Sequence, residues 1–387
     1  MSPWTAVGLL ALAIWVYLIA ARGGFWLTRE RDDAVSAPSP GRWPCVVAVV
    51  PARNEADVIE QAIESLLRQD YPGPFRIVLV DDNSSDGTAA AALQASTRVA
   101  GGRSLEVLRG AELPAGWTGK LWALEQGTRH ARASGEAIDY FLLTDADIGH
   151  SSDNLRNLAA RAEHEGRILV SLMARLSCTT WAERFLIPAF VFFFRMLYPF
   201  AWVAQKDRKV AAAAGGCILV RCDALERAGG IAAIRSEIID DCALARRLKS
   251  QGPIWLGLTR RVASLRPYGG FLKIGGMISR SAYAQLGYSP LLLTGTVLAM
   301  LLLYPVPSLL ALLGEGPARW LGLCVWLLMA LSFQPMLRFY RLSPLWGLAL
   351  PAIGAAYTVF TVQSALEVSR GRGGMWKGRV QAMTDGT

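Results

Sequence analysis

Two aspartates, Asp145 and Asp147, stand one residue apart where the apolar run Tyr140 to Thr144 ends, in the sequence YFLLTDADIGH. An apolar run that stops abruptly at acids predicts a buried strand opening into a crevice. In open α/β sheets that edge is where ligands sit. Side chains at i and i+2 of an extended segment share one side, so both carboxylates can face one small hard cation. Mg2+ or Mn2+ carrying a diphosphate is the expected occupant. The same three residues also suit a turn, where Asp is common.

Elements must bring other groups to that crevice. Cys45–Val50, Phe75–Val80, Leu105–Leu108 and Ile168–Met173 read as strands, and 56–69, 87–99, 120–133 and 153–165 as helices between them. Such alternation predicts an α/β domain, a mostly parallel, doubly wound, Rossmann-like sheet. Three strands end in polar signatures: PARNEAD from Pro51, DDNSSDGT from Asp81, and DAD. Adjacent parallel strands would bring all three to one edge. There Asp81 and Asp82 can accept hydrogen bonds from a base imide and ribose hydroxyls, while Arg53 and Glu55 close around the nucleoside. The residues from Asp82 to Ser85 equally suit a turn and helix cap, and Asp86 before Gly87 reads as structural. Lys120, in PAGWTGKLWALEQG, starts a helix where a diphosphate meets both backbone donors and an ammonium. This is not a P-loop, since Leu121 stands where Ser or Thr is required. No GxGxxG follows the first strand, which disfavours a dinucleotide oxidoreductase. His150 is expected to be a solvent-exposed turn residue.

The chain is 387 residues long, 52% hydrophobic, with a net charge of +9 and a mean hydropathy of +0.30. Those values point to a partly membrane-embedded protein. Basic residues lie beside apolar segments, at Arg260, Arg261, Arg266, Lys273 and Arg280 and in the tail at Arg370, Arg372, Lys377 and Arg379. That placement suits anionic lipid headgroups, and no nucleic-acid-binding module accompanies it. The six cysteines form no CxxC pair and no zinc spacing, as expected of reduced thiols on the cytoplasmic side.

Trp4–Ala21 is uncharged and long enough to span a bilayer, with arginines following rather than preceding it. The expected arrangement is a transmembrane anchor over 1–22, a linker over 23–44 and a cytoplasmic domain over 45–284. Within it, Phe185–Val203 carries Arg195 at its centre and two prolines. It is read as interfacial helices over 185–204, with Arg195 facing headgroups, because a crossing would separate Asp241 from DAD. Three apolar segments follow within 285–368: 290–313, 320–336 and 345–366. A basic tail occupies 369–387. Three crossings would put the tail outside, whereas its charge argues for inside. Pro305, Pro307, Gly347, Pro351 and Gly354 are candidate breaks for one re-entrant segment.

The set PARNEAD, VDDNSSDGT, GWTGKLWAL, TDADI and IIDDCALARRL resembles the inverting family-two glycosyltransferases of the GT-A fold. With the tail GGMWKGR, it is most similar to the hopanoid-biosynthesis-associated membrane enzymes, and more distantly to ceramide glucosyltransferase. The resemblance implies that Asp145 and Asp147 hold the metal and diphosphate. It places Pro51, Ala52, Arg53, Glu55, Asp81 and Asp82 in the nucleoside pocket, and Lys120 near the donor. Asp241 stands where the family has its catalytic base. The reaction needs such a group, because an acceptor hydroxyl must lose a proton as it attacks. Asp240 would lie on the acceptor side, although helix capping also explains an Asp pair there. AAGGCILVRCDALERAGG resembles the family segment along the acceptor, with Gly215 and Gly216 permitting close backbone approach. A tight turn before a strand is the plainer account of those glycines. The family's QxxRW is reduced to Arg280, a candidate diphosphate ligand, which favours transfer of one sugar. Trp376, Lys377 and Arg379 are expected near the donor.

The implied activity is transfer of a sugar from a nucleoside diphosphate sugar, a UDP-sugar favoured, to a lipid hydroxyl at the bacterial inner membrane. A hopanoid or related lipid is the expected acceptor. A processive polysaccharide synthase would need more spanning helices and an intact QxxRW. A catalytically silent nucleotide-binding scaffold would not need every candidate acid retained.

Overall fold

The computed structural model describes residues 2–33, 37–99, 103–371, 375–376 and 379–380. In chain order the elements are α1 (Pro3–Ala21), β1 (Val46–Ala52), α2 (Ile59–Leu67), β2 (Phe75–Asp81), α3 (Thr88–Arg98), β3 (Ser104–Arg109), α4 (Gly119–Ala133) and β4 (Tyr140–Thr144). There follow β5 (Ile148–His150), α5 (Asn154–Glu165), β6 (Leu169–Arg175), α6 (Trp181–Leu197), α7 (Phe200–Ala204), β7 (Cys217–Arg221), α8 (Cys222–Arg227), α9 (Asp240–Lys249) and β8 (Ile254–Ser264). The chain continues through α10 (Phe271–Gln285), α11 (Pro290–Leu303), α12 (Pro305–Leu313), α13 (Gly316–Phe339) and α14 (Leu350–Ser369), then the short antiparallel strands β9 (Met375–Trp376) and β10 (Arg379–Val380).

The chain forms two compact units. One comprises Glu30–Ser177, Trp202–Pro267 and Met375–Thr387; the other comprises Met1–Arg29, Cys178–Ala201 and Tyr268–Gly374. The first holds the sheet, whose eight strands run in the order β3-β2-β1-β4-β7-β6-β8-β5. All but β5 and β7 point the same way. It is thus a mostly parallel, mixed, Rossmann-like sheet. Every residue of β1, VVAVVPA, is buried, as befits a parallel strand covered on both faces. The helix α2 buries Ile59, Ala62, Ile63, Leu66 and Leu67, a 3.6-residue stripe facing the core. The helix α4 lies so close to β1 that a Cβ on Gly127 would fall 2.4 Å from Val49 Cγ1.

The second unit is helical. Four helices among the described residues, Pro3–Ala21, Pro290–Leu313, Gly316–Phe339 and Pro344–Ser369, are long and apolar enough to cross a membrane. Two are interrupted, near Pro305 and Gly347, while Pro351 and Gly354 lie within α14. The helix α11 stops at Tyr304 before Pro305, and a 3-10 turn over Pro344–Ala349 leads into α14. Pro305 removes a helical N–H donor and forces the interruption. Close packing uses small residues: a Cβ on Gly322 of α13 would lie 2.5 Å from the Pro307 carbonyl oxygen of α12.

The helix α6 opens with a capping box between Thr180 and Glu183, and Phe192 packs edge-on against Phe25 at 5.2 Å. Arg195 does not face outward as expected. It is fully buried, with its guanidinium 4.8 Å from the Phe200 ring, a flat, weakly hydrated cation well suited to an aromatic face. In the tail, the backbones of Trp376 and Arg379 pair across β9 and β10. Lys377 lies outside the described residues, as does any side-chain role for the tail at the donor site.

Candidate active site

The ends of β1, β2 and β4 are neighbours at one edge of the sheet. Beyond β1, Asn54 adopts a left-handed backbone (φ 51), and beyond β2 Asn83 does the same (φ 52); Asn tolerates this conformation better than most residues. The two loops are stitched together. Asp82 N donates to Ala52 O at 2.8 Å, Asn54 N to Ser84 Oγ at 2.9 Å, Ser85 N to Asn54 Oδ1 at 2.9 Å and Glu55 N to Thr88 Oγ1 at 2.9 Å. Asp86 is structural, as expected: its Oδ2 accepts from Ala56 N at 3.0 Å and its Oδ1 from Thr88 N at 3.1 Å.

Around this edge sit the nucleoside-pocket candidates. Pro51 and Ala52 close β1 and are buried. Asp81 closes β2, with its Oδ1 accepting from Ser84 N at 3.1 Å. Asp82 is 2% exposed, and its Oδ2 lies 3.6 Å from the Arg53 guanidinium. Glu55, also buried, pairs with Arg266, which in turn reaches Asp57 Oδ1 at 2.9 Å. By its sequence neighbours Arg266 is expected to face headgroups. It is instead committed to these acids, and Arg261 to Asp153 at 2.8 Å and Asp32 at 3.2 Å. Burial of Glu55 demands a partner, and only folding brings residue 266 beside residue 55.

The strand β4 stops at Thr144, so Asp145 and Asp147 lie in the turn before β5 rather than in an extended segment. Ile148 N donates to Asp145 O at 3.3 Å, and Leu265 N to Asp147 O at 2.8 Å, which fixes the turn. The Asp147 carboxyl is pushed up to about 6 by burial and by the charges of Asp145 and Glu55. His150 is neither exposed nor aimed at the acids. It is buried in β5, hydrogen-bonded to Thr144 Oγ1 at 2.9 Å and Asn154 Nδ2 at 3.0 Å, and burial lowers it to about 4. A neutral imidazole can both donate and accept, which is what these two partners require.

Lys120 and the Asp240–Asp241 pair complete the site. Thr118 caps α4, and Lys120 in its first turn places Nζ 2.9 Å from Asp145 Oδ1 and 3.2 Å from Asp240 Oδ2. Burial opposes the ammonium, but Asp145, Asp240 and Asp241 outweigh it and hold Lys120 protonated well above its usual range. Both aspartates lie in the first turn of α9. Asp241 Oδ2 accepts from Gly215 N at 2.9 Å, and its Oδ1 from Cys242 N at 2.7 Å. Burial and the neighbouring Asp240 push Asp241 up to about 6, with Lys120 pulling the other way. A Cβ on Gly215 would come 3.1 Å from Lys120 Nζ, so this backbone lies close against the ammonium. Gly216 O accepts from Thr144 Oγ1 at 2.8 Å and ties this segment to β4. Lys120, Asp145, Gly215, Asp240 and Asp241 thus share one small pocket, of about 20 Å³, walled by Leu121, Ile218 and Ile231 among others. Arg280 belongs to the helical unit, exposed on α10.

Among the described residues no group of three or more His, Cys, Asp or Glu side chains forms a metal cage. Two adjacent acids with a raised Asp147 nevertheless fit a divalent ion whose other ligands are diphosphate oxygens, since a cation there relieves their mutual repulsion.

Comparison with known proteins follows the same outline. Residues 47–229 match the family model "Glycosyl transferase family 2". An N-acetylglucosaminyltransferase of Rhizobium sp. (strain N33) is 27% identical over 183 residues, covering 46% of this chain and 36% of that protein. Another, from Azorhizobium caulinodans, is 26% identical over 234 residues, 57% of this chain and 52% of the relative. The chain therefore spans about half the length, or less, of these curated relatives. A solved mannosyltransferase from Pyrobaculum calidifontis, in complex with GDP-Man and Mn2+, superposes with a TM-score of 0.60 at 20% identity, covering 94% of this chain and 99% of that one. At that identity the likeness establishes the fold. Residues 47–229 are thus similar to family-two glycosyl transferases, on a GT-A fold.

Proposed function

We propose that the protein is a membrane-bound, inverting glycosyltransferase that moves one sugar from a nucleoside diphosphate sugar to a lipid hydroxyl. The observation that carries this reading is the meeting of Asp145, Lys120 and Asp241 in one pocket. It joins a site for a leaving diphosphate to a carboxylate whose raised affinity for protons suits a general base. The relatives' printed names and the neighbour's bound GDP-Man and Mn2+ support a nucleotide-sugar donor; a UDP-sugar remains the favoured one.

In this mechanism Arg53, Glu55, Asp81 and Asp82, with the Pro51–Ala52 backbone, hold the nucleoside. Asp145 and Asp147 are the side chains that would hold Mg2+ or Mn2+, which supplies charge neutralisation for the departing diphosphate. Lys120 adds an ammonium at the N-terminal end of α4, where backbone N–H groups also favour anions. Asp241, held by the Gly215 and Cys242 amides, takes the proton of the acceptor hydroxyl as it attacks opposite the leaving group. Asp240 and the Gly215–Gly216 segment border the acceptor side.

The four long apolar helices support placement in a membrane. The arginines after α1 support a cytoplasmic catalytic domain at the inner membrane. That placement supports a lipid acceptor, and the resemblance of the motifs supports a hopanoid or related lipid. The deciding experiment is calorimetric titration of the detergent-solubilised protein with nucleoside diphosphate sugars, with and without Mn2+. It is followed by an assay of sugar transfer to extracted lipids. Binding of one donor that needs Mn2+ is expected; absence of any donor binding by folded protein would overturn the reading.

A further inference from the structure

The Lys120 ammonium touches the same Asp145 carboxylate that would ligate the metal, at 2.9 Å, while also reaching Asp240 at 3.2 Å. The Gly215 backbone lies on one side of it, where a Cβ would come 3.1 Å from Nζ. A divalent ion at Asp145 would therefore sit within a few ångströms of the ammonium. Like charges at such a separation repel, even at the effective dielectric of a partly buried site. The ammonium can withdraw from Asp145 by leaning on Asp240 and Asp241 or by finding a new anion. A diphosphate bound between α4 and the DAD turn would be that anion, offering oxygens to the ammonium and to the metal together.

We infer that Lys120 is a displaceable counter-ion that makes metal binding at Asp145 conditional on a diphosphate. The ammonium weakens capture of the bare ion, and the donor's diphosphate lifts that restraint by drawing the ammonium to itself. Lys120 is thus a positioning residue that couples the two ligands. This inference rests on the assignment of Asp145 and Asp147 to the metal.

The test is titration of the full-length, detergent-solubilised protein with Mn2+ alone, followed by the electron paramagnetic resonance signal of the free ion. Wild type is expected to bind Mn2+ weakly, and Lys120→Met to bind it at least tenfold more tightly. Lys120→Arg keeps the positive charge and should stay close to wild type. A purely structural role for Lys120 predicts no gain of affinity on its removal. Unchanged or weaker Mn2+ binding by Lys120→Met, or a gain shared by Lys120→Arg, would overturn the inference. Should Lys120→Met fail to fold, Lys120→Gln serves with the same expectations. The doubly substituted Asp145→Ala, Asp147→Ala protein separates the two levels. If it still binds Mn2+ as tightly as wild type, the metal assignment itself is wrong. If it loses Mn2+ while Lys120→Met shows no gain, the metal assignment stands and only the counter-ion role falls.

Discussion

Gly215 N donates a 2.9 Å hydrogen bond to Asp241 Oδ2, so the segment entering β7 grips the carboxylate presented by α9. With Cys242 N on the other oxygen, both oxygens of Asp241 have a backbone donor, and its orientation does not depend on a mobile side chain. Preorganisation of this kind is what a proton acceptor needs if it is to act without rearrangement.

Replacing that carboxylate should separate chemistry from binding. Asp241→Asn is expected to lower the turnover of sugar transfer by about 10²-fold or more, the range of a lost general base. Donor affinity, measured by calorimetry, should stay within about twofold. Loss of donor binding in a folded variant would move Asp241 out of the base role.

The raised proton affinity of Asp241 has two opposite consequences with pH. As a base it must be ionised, so kcat/KM should fall as the pH drops through about 6. Stability runs the other way. An acid whose folded value lies above its unfolded value of 3.8 stabilises the fold when protonated, and that contribution is lost as pH rises from about 4 through about 6. Thermal unfolding of wild type and Asp241→Asn across this window should show the decline reduced in the variant. Parallel pH profiles would contradict the shift.

Removing both acids of the DAD turn should abolish the dependence of donor binding on Mn2+. Calorimetry of Asp145→Ala, Asp147→Ala with and without the ion checks this, and an undiminished Mn2+ effect would exclude these residues as ligands.

Gly127→Ala addresses the scaffold beneath the site. Alanine favours a helix over glycine by about 1 kcal/mol, but the added Cβ would meet Val49 Cγ1 at 2.4 Å and Val80 Cγ2 at 3.0 Å. Overpacking typically costs about 1–3 kcal/mol, so net destabilisation of up to about 2 kcal/mol and a lower unfolding midpoint are expected. Because α4 also carries Lys120, donor affinity should fall with it. A midpoint equal to or above wild type would show that α4 can shift at no cost.

The motif-bearing strands were legible because their apolar runs and terminal acids are local patterns. Val46–Ala52 and Phe75–Asp81 lie within two residues of their expected ends. Less visible was β7, which enters the sheet antiparallel between β4 and β6; strand order is a non-local property that periodicity does not record. His150 reads as a turn residue from its neighbours, yet Thr144 and Asn154 bury it as a neutral hydrogen-bonding core side chain. Arg266 and Arg195 show the same limit for charge. Proximity to apolar segments suggested lipid headgroups, whereas one pairs with Glu55 and the other stacks over Phe200.

By itself, then, the sequence determined the alternation of strands and helices, the apolar helices long enough to cross a membrane, and the acids available for chemistry. Each follows from residue type and short-range spacing. Only the tertiary structure decided that Lys120 bridges Asp145 and Asp240, that Gly215 holds Asp241, and that Glu55 finds Arg266. Those contacts join residues far apart in the chain, and their energies depend on burial and distance, which exist only once the sheet has assembled.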